Sequence, residues 1–131
     1  MGETMSSGKH HVEFMTLRMH ANYNLYCGVV PSNSELNTDI SGIPGGLAIY
    51  AHDGYNFKNG ESSVATTLPG CDGSHGPAIV GVLLDLDDNK IQFSINGLES
   101  EMFDISPGEY NFAVCLFHQW DSVKLCNYNK M

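Results

Sequence analysis

Apolar residues alternate with polar ones in short runs along the chain, and no stretch keeps a 3.6-residue apolar period. The strongest run is 78–87, in which Val80, Val82 and Leu84 fall on one face of an extended chain. A period of two is the pattern of a β-strand, because successive side chains of a strand point to opposite faces. The chain is therefore predicted to be all-β.

Similar runs recur between clusters of Gly, Asn, Asp and Pro, and they give about ten strands. Val123 and Leu125 are expected to face the core from the last strand. A change of phase after Phe14 predicts either a β-bulge in the first strand or burial of both its faces. Such a series predicts a single antiparallel sandwich of two sheets. The predicted strands are 11–19, 25–30, 47–51, 55–58, 62–67, 78–87, 91–95, 101–105, 110–117 and 123–128.

The turns between these strands are of two kinds. Asn96-Gly97 predicts a two-residue hairpin with a primed turn, since both residues tolerate a positive φ. The segments 31–46 and 68–77 have no periodicity and exceed ordinary connections, so they are predicted to be long loops. Loops of that length in a small domain are usually functional or mobile.

Length and charge restrict the classes of function. A chain of 131 residues fits one domain, with its core at about residues 7–128, and we expect it to be a monomer. Six Lys and Arg against 15 Asp and Glu give a net charge of −9, and Arg18 is the only arginine. Without clustered basic residues, nucleic acid and anionic membranes are not expected as partners.

The cysteines indicate a reducing compartment. Cys27, Cys71, Cys115 and Cys126 form no C-x-x-C pair, so a zinc site is not expected. Three of them lie in apolar runs, and we expect all four to be free, reduced and unreactive. The chain has no glycosylation sequon and no signal peptide, which favours a cytoplasmic or nuclear location.

Several short motifs suggest chemistry, but each has a simpler structural interpretation. Asp85-x-Asp87-x-Asn89 begins like a calcium loop, yet the later ligands are missing, so a polar turn at a strand end is expected. Ser74-His75 lacks the context of a nucleophile, and His10 is interpreted as structural. The sequence therefore predicts no catalytic residues, metal or cofactor, and the protein is not expected to be an enzyme.

Taken in order, six motifs resemble those of the SPRY domain family. Val12 and Gly45 stand where the family more often has aromatic residues. The resemblance covers nearly the whole chain, and it suggests a piece of a larger protein without an evident PRY segment. The motifs are 7–13 (SGKHHVE, for SGKHYWE), 27–30 (CGVV, for GVA), 46–50 with 56–60 (GLAIY and NFKNG, for WGL and YHNG), 79–87 (IVGVLLDLD, for VGVLLDLD), 93–97 (FSING, for FSLNG), and 111–116 with 121–125 (NFAVCL and DSVKL, for YPAVSL and DSVRL).

This resemblance implies a fold and a function. SPRY domains are bent, concanavalin-like jelly-roll sandwiches that act as protein-interaction modules, so we expect recognition of a short peptide or loop of a partner protein. The site implied by the family comprises the loop after the GVA strand and the loop before the last strand. In this chain its residues are Pro31, Ser32, Asn33, Leu36, Phe117, His118, Gln119 and Trp120.

Two alternatives to peptide binding stay open. Aromatic stacking at Tyr55 or Trp120 would suit a glycan-binding sandwich, and a purely structural contact within a larger complex needs no groove at all. Trp120 has two interpretations of equal weight, since large aromatics often fold back onto the core and also dominate binding hot spots.

Replacing Trp120 with alanine separates these two roles. If Trp120 is a partner anchor, Trp120→Ala weakens binding by about 2 kcal/mol or more and leaves the fold intact. Calorimetric titration of a partner peptide, with thermal unfolding as the control, measures both quantities. Unfolding of the variant would assign Trp120 to the core instead.

Overall fold

The computed structural model describes residues 4–18, 25–34, 45–50, 55–58, 64–65, 78–116 and 122–130. These residues form ten antiparallel strands and no helix. Within that part of the chain, nothing helical is long and apolar enough to cross a membrane. The strands are β1 (Lys9–Arg18), β2 (Leu25–Pro31), β3 (Leu47–Tyr50), β4 (Tyr55–Lys58), β5 (Val64–Ala65), β6 (Ile79–Asp85), β7 (Lys90–Ile95), β8 (Leu98–Asp104), β9 (Tyr110–Leu116) and β10 (Ser122–Lys130).

The strands form two five-stranded sheets, which confirms the predicted two-sheet fold. Sheet 1 has the order β10-β1-β6-β7-β8, and sheet 2 has the order β5-β4-β3-β2-β9. In sheet 1 the first strand lies between β6 and the last strand, so the two ends of the chain share one sheet.

One hydrophobic core joins the inner faces of both sheets. Val12 and Phe14 of β1 lie beside Val82 and Val80 of β6, and all four side chains are buried. Sheet 2 contributes the buried side chains of Cys27, Val29, Leu47, Ile49 and Phe112. The period-two pattern of the sequence thus determines which face of each strand is buried. A one-residue slip in register would turn the apolar side chains toward solvent.

His10 is a structural residue, as predicted. Its ring is buried, and its Nε2 lies 2.8 Å from the carbonyl oxygen of Ser7. Since a carbonyl can only accept, Nε2 donates this hydrogen bond. The Nδ1 atom then accepts from the hydroxyl of Tyr128 at 2.8 Å, which ties β1 to β10.

The Asp85–Asn89 segment is a polar turn at a strand end, again as predicted. Asp85 Oδ1 accepts hydrogen bonds from the backbone N–H groups of Asp87 and Asp88. Asp87 Oδ1 accepts from the N–H of Gly8 at 3.0 Å. These carboxylates hold the turn and the segment before β1 in place.

One strand boundary differs from the prediction. β8 begins at Leu98, three residues before the expected start, because the turn consists only of Asn96 and Gly97. On β10, Val123 packs against the core and Leu125 lies beside Phe14 on the core-facing side, as expected. Leu125 is nevertheless 48% exposed, because β10 is an edge strand.

Two glycines are required by the backbone. Asn96 and Gly97 both have a positive φ, of 52° and 85°, which confirms the primed turn. Gly28 lies in the middle of β2, and a Cβ there would come within 1.9 Å of the carbonyl oxygen of Leu47. Sheet 2 therefore has its close β2–β3 contact only because Gly28 has no side chain.

Replacing Gly97 with valine tests the turn. No atom lies within 4 Å of the position that a Cβ would take, so the cost comes from the backbone conformation alone. We expect Gly97→Val to lower the free energy of unfolding by roughly 1 kcal/mol or more, measured by urea denaturation. Gly97→Asn is the matched control and should lose much less, because asparagine tolerates a positive φ. Equal stability of the valine variant and the parent protein would contradict the turn.

The described cysteines differ in exposure. Cys27 is buried, Cys115 is half-buried and Cys126 is exposed, while Cys71 lies outside the described residues. Burial raises the pKa of the Cys27 thiol far above its usual value. Burial, the reason for expecting unreactive thiols, therefore holds for Cys27 and does not hold for Cys126 on edge strand β10.

Thiol labelling of the native protein should follow this order. We expect Cys126 to react first and Cys27 to stay unmodified, because only the thiolate is nucleophilic and Cys27 is both protonated and inaccessible. Peptide mapping after timed exposure to iodoacetamide gives the rate at each position. Denatured protein provides the control, and comparable native rates at Cys27 and Cys126 would argue against the described packing.

Candidate functional site

The β2–β9 pair of sheet 2 has two distinct ends. At one end Pro31 pairs with Tyr110, and at the other Leu25 pairs with Leu116. The segment after β2 therefore leaves at the same end at which the chain enters β9. This arrangement brings residues 31–34 against residues 106–110.

A groove of about 420 Å³ lies at that end. A volume of this size falls in the range of ordinary ligand sites in proteins. Both walls come from segments between strands, and Gly45 closes one side. The lining residues are Pro31, Ser32, Asn33, Gly45, Ser106, Pro107, Gly108, Glu109 and Tyr110.

Backbone hydrogen bonds fix the first wall of the groove. The N–H of Ser32 donates to the carbonyl of Glu109 at 2.9 Å, which extends the β2–β9 ladder by one step. The N–H of Ser34 donates to the carbonyl of Pro31 at 3.0 Å and closes a tight turn. The conformation of residues 31–34 is thus set without a ligand.

Tyr110 fixes the second wall. Its hydroxyl donates to the carbonyl of Ser106 at 2.6 Å, and its backbone exchanges two hydrogen bonds with Met5. Burial raises the pKa of Tyr110 above its usual value, so the phenol stays a neutral donor in ordinary buffers. Residues 106–109 are consequently held as a closed turn against the end of β9.

The described lining of the groove combines polar groups with apolar rings. Asn33, Ser106 and Glu109 are exposed and offer amide, hydroxyl and carboxylate groups, and Pro31 and Pro107 add apolar rings. Among the described lining residues, Glu109 alone is charged. In the described ranges, no three His, Cys, Asp or Glu side chains are grouped so as to hold a metal ion.

The structure describes three of the eight predicted site residues, and it places them together in the groove. These are Pro31, Ser32 and Asn33. The other five lie outside the described residues: Leu36, Phe117, His118, Gln119 and Trp120.

The strands anchor the two predicted loops at opposite ends of the β2–β9 pair. Pro31 begins the first loop at one end, and Leu116 leads into the second at the other. A shared surface requires residues 34–46 or 117–121 to run back along the sandwich. The joint surface therefore stays a prediction, and the described partner of residues 31–33 is the segment 106–110.

Sequence reasoning missed the segment 106–110 as part of a site. The available signal was the Ser106-Pro107-Gly108 run between two strands, which is typical of a turn. The sequence did not show that this turn lies beside Pro31, because that contact depends on the β2–β9 register.

A second depression lies on the outer face of sheet 1. It measures about 60 Å³ and is bounded by His11, Leu83, Gln92, Ser94 and Glu99, with Phe93 beneath. Gly81 lies close to two of these residues, since a Cβ there would be 2.3 Å from Ser94 Oγ and 3.3 Å from His11 Nε2. Its volume is far below that of usual small-molecule sites.

Comparison with known proteins identifies the fold. No protein-family model matches the sequence. No curated protein is significantly similar to it. Solved structures of SPRY domains, however, superpose on nearly the whole chain, so the fold is that of a SPRY domain.

Three of these structures show the extent of the match. The SPRY domain of human HERC1 has a TM-score of 0.74 at 21% identity and covers 96% of this chain and 79% of its own. A human SPRY domain has a TM-score of 0.71 at 19% identity, with 95% and 91% covered. The TRIM65 PSpry domain has a TM-score of 0.71 at 17% identity, with 95% and 68% covered.

Proposed function

We propose that this protein is a protein-interaction module, and not an enzyme, that binds a short extended segment of a partner protein. The groove between residues 31–33 and 106–110 is the binding site in this proposal. Its support is the preformed groove of about 420 Å³ at one end of a SPRY-type sandwich. We also place the protein inside the cell, in the cytoplasm or nucleus, a proposal supported by the free thiols of Cys27 and Cys126.

Rigidity of the groove favours this function. Loops on a rigid scaffold are the usual place for recognition, because the sheets hold them while their side chains face solvent. The Ser32–Glu109 and Tyr110–Ser106 hydrogen bonds order both walls before binding. On binding, only the partner segment then loses conformational freedom, because the groove is already ordered. This lower entropic cost favours affinity from a small contact area.

The groups in the groove suit an extended peptide. The side chains of Asn33 and Ser106 can donate and accept hydrogen bonds, so they match the alternating N–H and C=O groups of a bound backbone. Pro31 and Pro107 offer rings to an apolar side chain of the segment. The Glu109 carboxylate favours a neutral or basic residue beside it.

The described residues provide no comparable support for glycan binding. The aromatic side chains that motivated that alternative, Tyr55 and Trp120, are not among those the structure describes. A structural contact within a larger complex would use the same end of the sandwich, and it differs from peptide capture in needing a folded partner surface.

Filling the groove should abolish binding. Peptides are first selected on the parent protein from a random phage-displayed library, and their affinities are measured by calorimetric titration. Ser106→Trp places an indole in the groove while keeping the backbone carbonyl that Tyr110 uses. We expect it to weaken the selected peptides at least about tenfold, or roughly 1.4 kcal/mol.

Leu98→Trp is the matched control. Leu98 is 57% exposed and begins β8, so it lies at the opposite end of that strand from Ser106. This variant should bind as the parent does. Failure to select any peptide, or equal binding by the two variants, would refute peptide capture in the groove.

A further inference from the structure

Strand β10 forms a long free edge of sheet 1. It pairs with β1 along Ser122–Lys130, and no described strand pairs with its other side. All residues from 124 to 130 are exposed. A free edge exposes unpaired backbone N–H and C=O groups, which is a template for another strand.

Strand β10 is positively charged, whereas the protein as a whole is negatively charged. The nine residues of β10 include two of the six basic residues, Lys124 and Lys130, and no acidic residue. Lysines on an edge strand usually discourage pairing between like edges. In a protein of net charge −9, the same lysines give β10 the largest net positive charge of the described strands, which favours an acidic partner chain.

The edge also exposes apolar surface on its core-facing side. Leu125 lies beside Phe14 and is 48% exposed, and Tyr128 lies beside Val12 and is 44% exposed. The Tyr128 ring packs edge-on against Phe112 of sheet 2. These side chains continue the core to the rim of the sandwich, where a further strand would cover them.

A second copy of the chain fits this edge poorly. Antiparallel pairing of two copies of 124–130 sets Lys124 opposite Lys130 at both ends, and like charges directly opposite are unfavourable. The other edge of sheet 1, the acidic strand β8, is the remaining candidate to pair with β10 of a second copy. It is a poor partner because a bulge opposite Phe93 interrupts it, where Ser100 Oγ accepts the Phe93 N–H. Two copies also repel through their net charges.

We propose that β10 is a strand-addition site for an extended acidic segment of a different protein. Backbone hydrogen bonds to the free edge give affinity, and Lys124 and Lys130 select glutamate or aspartate in the added strand. An apolar residue of the segment covers Leu125 and Tyr128. None of the described residues that line the groove belongs to β10 or β1, so this proposal does not depend on the proposed peptide groove.

Two designed peptides test this proposal. One is a fluorescein-labelled nine-residue peptide in which glutamate alternates with valine and threonine, and the other has lysine in place of each glutamate. Fluorescence anisotropy at low ionic strength should detect binding of the acidic peptide only. Lys124→Glu combined with Lys130→Glu should weaken it at least about tenfold and let the lysine peptide bind instead.

Lys90→Glu is the control for net charge. Lys90 lies on β7, three strands from β10, and pairs with Asp104 in an exposed ion pair of little energetic weight. When both variants are measured again at an ionic strength of about 0.15 M, Lys90→Glu should alter affinity less than about twofold, since exposed charges more than about 8 Å apart are then largely screened. Circular dichroism confirms that each variant is folded.

Cys126 reports the position of the bound strand. This exposed thiol lies within the edge, so the acidic peptide should slow its alkylation by iodoacetamide several-fold. Unprotected Cys126, or equal binding of both peptides, would overturn the proposal. Self-association of the protein in sedimentation experiments would also overturn the proposal if Lys124→Glu abolished it. The strand added to β10 would then belong to a second copy of the chain.

Discussion

Pairing of β1 with β6 is the constraint on which the rest of the structure depends. Its register sets Val12 beside Val82 and Phe14 beside Val80, so that both strands bury the same face. Because side chains alternate, this register decides which residues of β7 and β10 face inward as well.

The register of a second pair, β2 with β9, creates the groove at one end of that pair. Pro31 meets Tyr110 at the start of β9, and Met5 bonds to the same tyrosine from the segment before β1. Tyr110 is thus held by three parts of the chain while its hydroxyl orders the turn at Ser106. The same contacts that hold β9 in place therefore also form this wall of the candidate site.

The sequence predicted most of the strands and the inward face of the central ones, because burial imposes a clear period-two pattern there. Val80, Val82 and Leu84 were assigned correctly for this reason. Leu125 was also placed on the correct face, but its 48% exposure was not predicted, since the pattern indicates the side of a strand and not whether another layer covers it. The wall of the groove formed by residues 106–110 was not predicted. Its position beside Pro31 depends on the long-range β2–β9 register, which no local motif encodes.

The position of β1 has a consequence for how the protein is made. Its neighbours are β6 and the last strand, and the hydrogen-bonded rings of His10 and Tyr128 are 118 residues apart in the chain. Contacts between such distant residues form late and slow folding. During synthesis β1 emerges before both of its partner strands, so it lacks one of its two neighbours until β10 has been translated. The apolar side chains of this strand therefore stay incompletely covered on the nascent chain, and we expect chaperone contact to concentrate there.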